Sequence, residues 1–154
     1  MNLLLSFGIG FVAGLRSLTA PAAVAWAAHL GWIHLDGTPL AFMGSKWTAI
    51  VFTILALVEL VADQLPQTPA RTAAVGLSAR VVAGALTGAC LAAAAGAQIW
   101  LGAIAGIVGV IAGAFGGYHA RVGLVRSLRV PDIVIALPED VIAIGLGLFL
   151  SSRF

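Results

Sequence analysis

The stretch ELVADQLPQTPARTAAVGLSAR, residues 59–80, joins two long apolar segments through a short proline-rich turn. It sets Glu59, Asp63, Arg71 and Arg80 in or beside segments otherwise apolar enough for hydrocarbon, where a charge costs roughly 2.5–3.5 kcal/mol on insertion scales. Charges kept under that penalty face partners, water or a ligand, so these four are the first functional candidates. Glu59 and Asp63 stand four residues apart and share a helical face, about 6 Å from each other. Gln64, Pro66, Gln67, Thr68 and Pro69 make the turn, and Thr68 or Thr72 is placed to cap the next helix.

Outward from this centre the chain is membrane-like. Of its 154 residues 61% are hydrophobic and 9% charged, against about 25% charged in soluble domains; the mean hydropathy is +1.09. On one side of the turn lies a span over Lys46–Leu65, and on the other an Ala- and Gly-rich span over Thr72–Gly96. Arg80 falls two turns into the latter, roughly 12 Å along its axis. Its Cys90, the single cysteine, excludes an intrachain disulfide and a cysteine metal cluster, and reads as packing filler. A fourth span runs from Ile99 to about Tyr118 with Gly102/Gly106 and Gly109/Gly113 as small-xxx-small pairs, which let helix backbones touch. His119, Arg121, Arg126 and Arg129 follow as a basic segment, either a loop or a helical extension at the interface. The fifth span, Asp132–Ser152, is interrupted by Leu137–Pro138–Glu139–Asp140. Proline followed by two acids suits a helix start, so this span is expected to break there, a simple kink being the alternative.

The first apolar segment, Leu3–Ile33, contains GLRSLTAP. Thr19 followed by Pro21 is a helix-start signal. It predicts a broken helix, with halves at Leu3–Leu15 and Ala20–Trp32 and with Arg16, Ser17 and Thr19 at the break; one long kinked helix is the plainer alternative. The small residues after Leu3–Val12 imitate a signal peptide, but no basic residue precedes the apolar run, so the segment is kept as a span. Residues 34–45 read as a loop, with Trp26, Trp32 and Trp47 as an interfacial belt.

The expected fold is therefore an all-α, polytopic transmembrane bundle forming one domain over residues 1–154, with about five spans, two of them broken. Four basic residues against two, counted over alternate loops, favour a cytoplasmic N-terminus. IGFVAGLRSLTA resembles IAGAFGGYHARV, and ELVAD resembles EDVIA. These echoes suggest repeat halves 1–65 and 99–154 with 72–96 as linker, in inverted orientation as in transporters.

Together, GLRSLTAP, ELVADQLPQTPART with the following Arg80, GGYHAR and ALPEDVIAI resemble the DUF4126 family of small bacterial integral membrane proteins. The resemblance covers nearly the whole chain and implies a bacterial inner-membrane protein; it implies no activity, since the family has none assigned.

Three functions suit the acids and arginines. They are structural salt bridges, or a transport site in which an acid titrates and an arginine holds an anionic group, or a divalent-cation site bridging a phosphate gripped by Arg71, Arg80 or Arg121. No metalloprotease, nucleotide-loop, serine-triad or cysteine-nucleophile pattern is present, so enzyme chemistry, a bound cofactor and nucleic-acid binding gain no support. His29 and His34 read as interfacial side chains. Transport or permeation of a small solute, with an anionic one suited to the arginines, is expected to use Arg16, Ser17, Glu59, Asp63, Arg80, Arg121, Glu139 and Asp140 as the binding residues. The partners expected are the bilayer, the solute and further copies of the chain. The alternative is a non-transporting protein that binds lipid headgroups, with Arg121, Arg126 and Arg129 as contacts, or scaffolds a partner.

Overall fold

The computed structural model describes residues 2–65, 67 and 73–153. The expected turn residues Pro66, Thr68, Pro69, Arg71 and Thr72 lie outside them. The described chain is all-α: α1 Asn2–Leu15, α2 Thr19–His29, a short 3-10 turn Ala41–Gly44, α3 Lys46–Ala62, α4 Ala74–Ala94, α5 Ile99–Leu128 and α6 Asp132–Ser151. Three of these helices, α4, α5 and α6, are long and apolar enough to cross a membrane, fewer than the five expected. α1 and α2, with 14 and 11 residues, are short of the roughly 20 that a full crossing takes, whereas α3, with 17, stands at the lower limit of that range.

The first apolar segment breaks where its sequence places the break, yet it does not continue across. Gly8 lies against Leu150, Gly147 lies against both Val12 and Ala23, and Arg16 meets Asp140. α1 therefore rises along α6 from its end to its middle, and α2 comes back down the same helix. The two halves form a helical hairpin with residues 16–18 at its apex. Pro21 explains why α1 cannot run on: inside a continuous helix its ring would clash with the carbonyl of Ser17, whereas in the first turn of a new helix no N–H is needed.

α1 is gripped by α4 and α5 through backbone contact. A Cβ on Gly10 would stand 2.0 Å from the Gly106 carbonyl oxygen, and one on Gly88 would stand 2.3 Å from that of Gly102. The Cβ positions of the two small-xxx-small pairs of α5 face different neighbours: those of Gly102 and Gly106 face α4 at Gly88 and Gly84, and those of Gly109 and Gly113 face α1 at Phe7 and Phe11, while the Gly106 carbonyl also touches Gly10 of α1. The pairing order shows α1 and α5 running parallel, with α4 antiparallel to both. The hairpin adds a reversal that the expected inverted repeat does not contain, since inversion of the first segment onto the fourth would set α1 and α5 in opposite directions.

α2 packs between α3 and α6, with Trp26 Nε1 donating to Thr53 Oγ1 at 2.8 Å. α5 passes through the basic segment as one helix, there being no proline between Ile99 and Leu128 to stop it. It ends at Arg129, whose φ of +52° is left-handed, followed by Val130 and Pro131. α6 is likewise unbroken across Pro138, contrary to the second expected break. The proline only withholds a donor from the Val134 carbonyl on an exposed flank. In consequence both chain ends, the 30–45 loop and the exposed Trp32, Trp47 and Trp100 share one end of the bundle. The hairpin apex and the α5–α6 turn lie toward the other. α3 and α6 turn large apolar side chains outward, including Val51, Ile54, Val58, Val61, Val141 and Ile142.

Candidate functional site

The hairpin apex carries the densest polar network. Arg16 is 1% exposed. Its Nε donates to Asp140 Oδ1 at 2.6 Å, its Nη1 pairs with Asp63 Oδ2, and its Nη2 pairs with Asp140 Oδ1. A guanidinium offers five N–H donors in a fixed fork, so one buried arginine can hold carboxylates arriving from two directions. Here they come from the C-cap of α3 and from the middle of α6. The hairpin is thus tied at its tip to both α3 and α6.

Glu59 completes the apex from α3. Its Oε1 accepts the backbone N–H of Ser17 at 2.9 Å and the Ser17 hydroxyl, and its Oε2 accepts the N–H of Leu18 at 2.9 Å. The N-cap position of α2 is Leu18, whose side chain cannot cap, so a carboxylate 41 residues away satisfies the free amides. Its negative charge also meets the positive end of the α2 dipole. The local signal for a cap, Thr19, is instead buried inside the first turn of the helix.

A second cluster lies beyond the apex, between α5 and α6. Arg121 Nε donates to Asp132 Oδ1 at 2.7 Å, Nη2 pairs with Asp132 Oδ2, and Nη1 stands 3.6 Å from Glu139 Oε2. Arg121 and Glu139 border a cleft of about 320 Å3 that is otherwise apolar, walled by Phe11 and Leu15 of α1, Gly116, Gly117, Ala120 and Leu124 of α5, and Ile135, Pro138 and Ile142 of α6.

The eight expected site residues are therefore split. Arg16, Ser17, Glu59, Asp63 and Asp140 meet at the apex, and Arg121 with Glu139 forms the neighbouring pair. Of the adjacent acids it is Asp140 that turns to Arg16, while Glu139 turns to Arg121. Arg80 is buried in α4, with Nη1 donating to the Gly76 carbonyl at 3.2 Å. Asp132 is the functional candidate that sequence reasoning passed over; its signal was an acid directly after Pro131 in a first helical turn. Among the described residues no group of three His, Cys, Asp or Glu is placed to hold a metal ion, so the acids do not gather into the divalent site considered above. His119 Nδ1 lies 2.7 Å from the Phe115 carbonyl oxygen on an exposed flank of α5, and His29 Nδ1 lies 3.2 Å from that of Gly44. Cys90 is buried among the apolar residues of the core.

The family model of DUF4126, a domain of unknown function, matches residues 3–152. No curated protein and no solved structure matches the chain. The chain belongs to the DUF4126 family.

Proposed function

We propose that this DUF4126 protein is an integral membrane transporter or permease of the bacterial inner membrane, in which the α1–α2 hairpin moves against α3 and α6 to admit a small anionic solute. The observation that carries this reading is the hairpin itself, a pair of helices too short to cross that ends inside the bundle on a buried, doubly paired arginine. Non-helical backbone at such depth is tolerated where protein shields it or where it lines a path, and discontinuous helices with exposed N-terminal amides are a recurring device of transport sites. The arginine can trade one carboxylate for a solute anion while keeping the other, and each trade frees the hairpin tip from one of its two anchoring helices. Glu59 closes the amides of α2 when no solute is bound.

The basic end of the bundle, with Arg121, Arg126 and Arg129, is placed at the cytoplasm by the positive-inside rule. Because the hairpin returns the chain to its starting end, the same rule now sets both termini outside, which moves the N-terminus from the side that the five-span count gave it.

One observation favours the second reading, a non-transporting membrane protein held by structural salt bridges: the carboxylates of Asp63, Asp140 and Glu59 are all already engaged by protein donors. A thermal-shift screen of the purified protein in detergent, against small carboxylates, phosphates, amino acids and halides, separates the two. Transport predicts a stabilising anion whose effect is lost in Arg16→Met, which removes the guanidinium that the anion would occupy, and uptake of that anion into proteoliposomes. Absence of any stabilising anion, together with a large fall in Tm for the variant alone, would leave only the structural role.

A further inference from the structure

The cleft between α1, α5 and α6 is held open by glycine in a way that the packing of this protein does not require. Gly102, Gly106, Gly109 and Gly113 each press on another backbone, but a Cβ on Gly116 would meet nothing within 4 Å. A glycine inside a helix is less favourable than alanine by about 1 kcal/mol, and at Gly116 no neighbour repays it. The space it leaves belongs to the cleft. Its volume of about 320 Å3 falls at the lower end of the roughly 300–1,000 Å3 typical of small-molecule sites. It opens to the exterior past Leu124 and Ile142, both about half exposed, so its mouth faces what surrounds the bundle.

Polarity along the cleft is graded. Its inner part, at Phe11 and Leu15, is wholly apolar. Nearer the α5–α6 turn come Arg121 and Glu139, and above them the turn itself, whose first residue is Arg129. Arg126 and Arg129 are exposed, and neither makes an ion pair with a described residue. Among the described residues Asp132 and Glu139 are both engaged by Arg121, so Arg126 and Arg129 are the positive charges left outside an ion pair where α5 and α6 join. An apolar slot ending under surplus cation fits a molecule with an apolar tail and an anionic head. A basic cluster at the cytoplasmic surface also lies at the depth of lipid phosphates.

We infer that the cleft is a binding site for an anionic glycerophospholipid, with one acyl chain lying along Gly116 between α5 and α6 and the phosphate held by Arg129 and Arg126. The site is separate from the hairpin apex and does not depend on whether a solute is transported.

The test uses the full-length protein, stripped of lipid in a mild detergent, and reads Tm after addition of phosphatidylglycerol or of phosphatidylcholine with the same chains. Native mass spectrometry counts the lipid retained. Phosphatidylglycerol is expected to raise Tm above the value with phosphatidylcholine and to be retained as one molecule. Gly116→Leu, which fills the slot, and the double variant Arg126→Gln/Arg129→Gln, which removes surface charge, are each expected to abolish that difference. Ala120→Leu lines the same cleft and serves if Gly116→Leu does not fold. A full phosphatidylglycerol effect in the filled variants would place the lipid elsewhere. An equal effect of phosphatidylcholine would remove headgroup recognition, and an equal effect of glycerol phosphate alone would remove the acyl chain; any of the three overturns the assignment.

Discussion

At the scale of single residues, Arg16 decides whether the apex holds together. Removing one partner of a buried ion pair costs about 3–5 kcal/mol because the other charge is left without compensation. Arg16→Met is therefore expected to lower the stability in detergent by that order, and Arg16→Met/Asp63→Asn/Asp140→Asn to recover part of the loss, since no unpaired carboxylate remains. A triple variant no more stable than Arg16→Met would show that the guanidinium matters for something other than these two acids. Glu59→Gln tests the other half of the apex. The amide retains one acceptor oxygen but turns an N–H2 group toward a backbone donor, so a loss of about 1–2 kcal/mol is expected, in the range for a lost N-cap. Unchanged unfolding in that variant would mean that the Glu59 contacts do not stabilise α2. Much of the apex was legible beforehand, because charges embedded in apolar sequence advertise themselves: Arg16, Glu59, Asp63 and Asp140 all stood out. What each of them touches was not legible, since the partners lie 41 to 124 residues apart. Nothing local told Glu139 from Asp140 either; adjacent helical positions point about 100° apart, and only the neighbours fix which one faces inward.

At the scale of elements, glycines that look alike in sequence divide into two kinds. Gly10→Ala and Gly106→Ala drive a methyl group into a facing backbone. The first is expected to prevent α1 from seating on α5 and the second to force α4 off α5, each seen as loss of the folded peak in size-exclusion chromatography. Gly145→Ala, where a Cβ meets open space, is expected to be neutral or to stabilise by up to about 1 kcal/mol through helix propensity. Loss of the folded protein in Gly145→Ala would contradict this division. The sequence announced close packing through spacing alone, but could not say that one pair receives α4 and the next receives α1. The break at Arg16 was readable from Thr19 and Pro21, whereas the reversal was not: a broken span and a hairpin share the same local signals, and contacts with Gly147 on a distant helix select between them. Pro138 misled for a related reason. A proline on an exposed flank withholds one donor without forcing the chain to stop.

At the scale of the molecule, the hairpin sets the count of crossings and hence the sides on which the ends emerge. With the hairpin in place, both termini and the 30–45 loop share a face, opposite Ser127 at the basic end of α5. Membrane-impermeant maleimide applied to intact cells is expected to label Thr38→Cys and Ser152→Cys, and to spare Ser127→Cys until the membrane is opened. Labels on opposite sides for Thr38→Cys and Ser152→Cys would restore the odd count drawn from hydropathy. Hydropathy erred here because it measures how apolar a segment is, and two short helices folded together are as apolar as one long one.

The seating of α1 between α4 and α5 also bears on how the protein is made. Residues 2–15 are translated before α4 and α5, whose surfaces from Gly84 to Gly113 receive them. At about 5–20 residues per second, the interval between translating Leu15 and Gly113 is roughly 5–20 s. Throughout that time the apolar N-terminal hairpin, with an arginine at its tip, has neither its glycine seam nor its Asp140. A chain stopped after Ala62 would be left in that condition permanently, and is expected to be cleared by membrane proteases in pulse-chase labelling while the full-length chain persists. Final assembly is thus an event that follows synthesis, with α1 admitted after the helices that hold it.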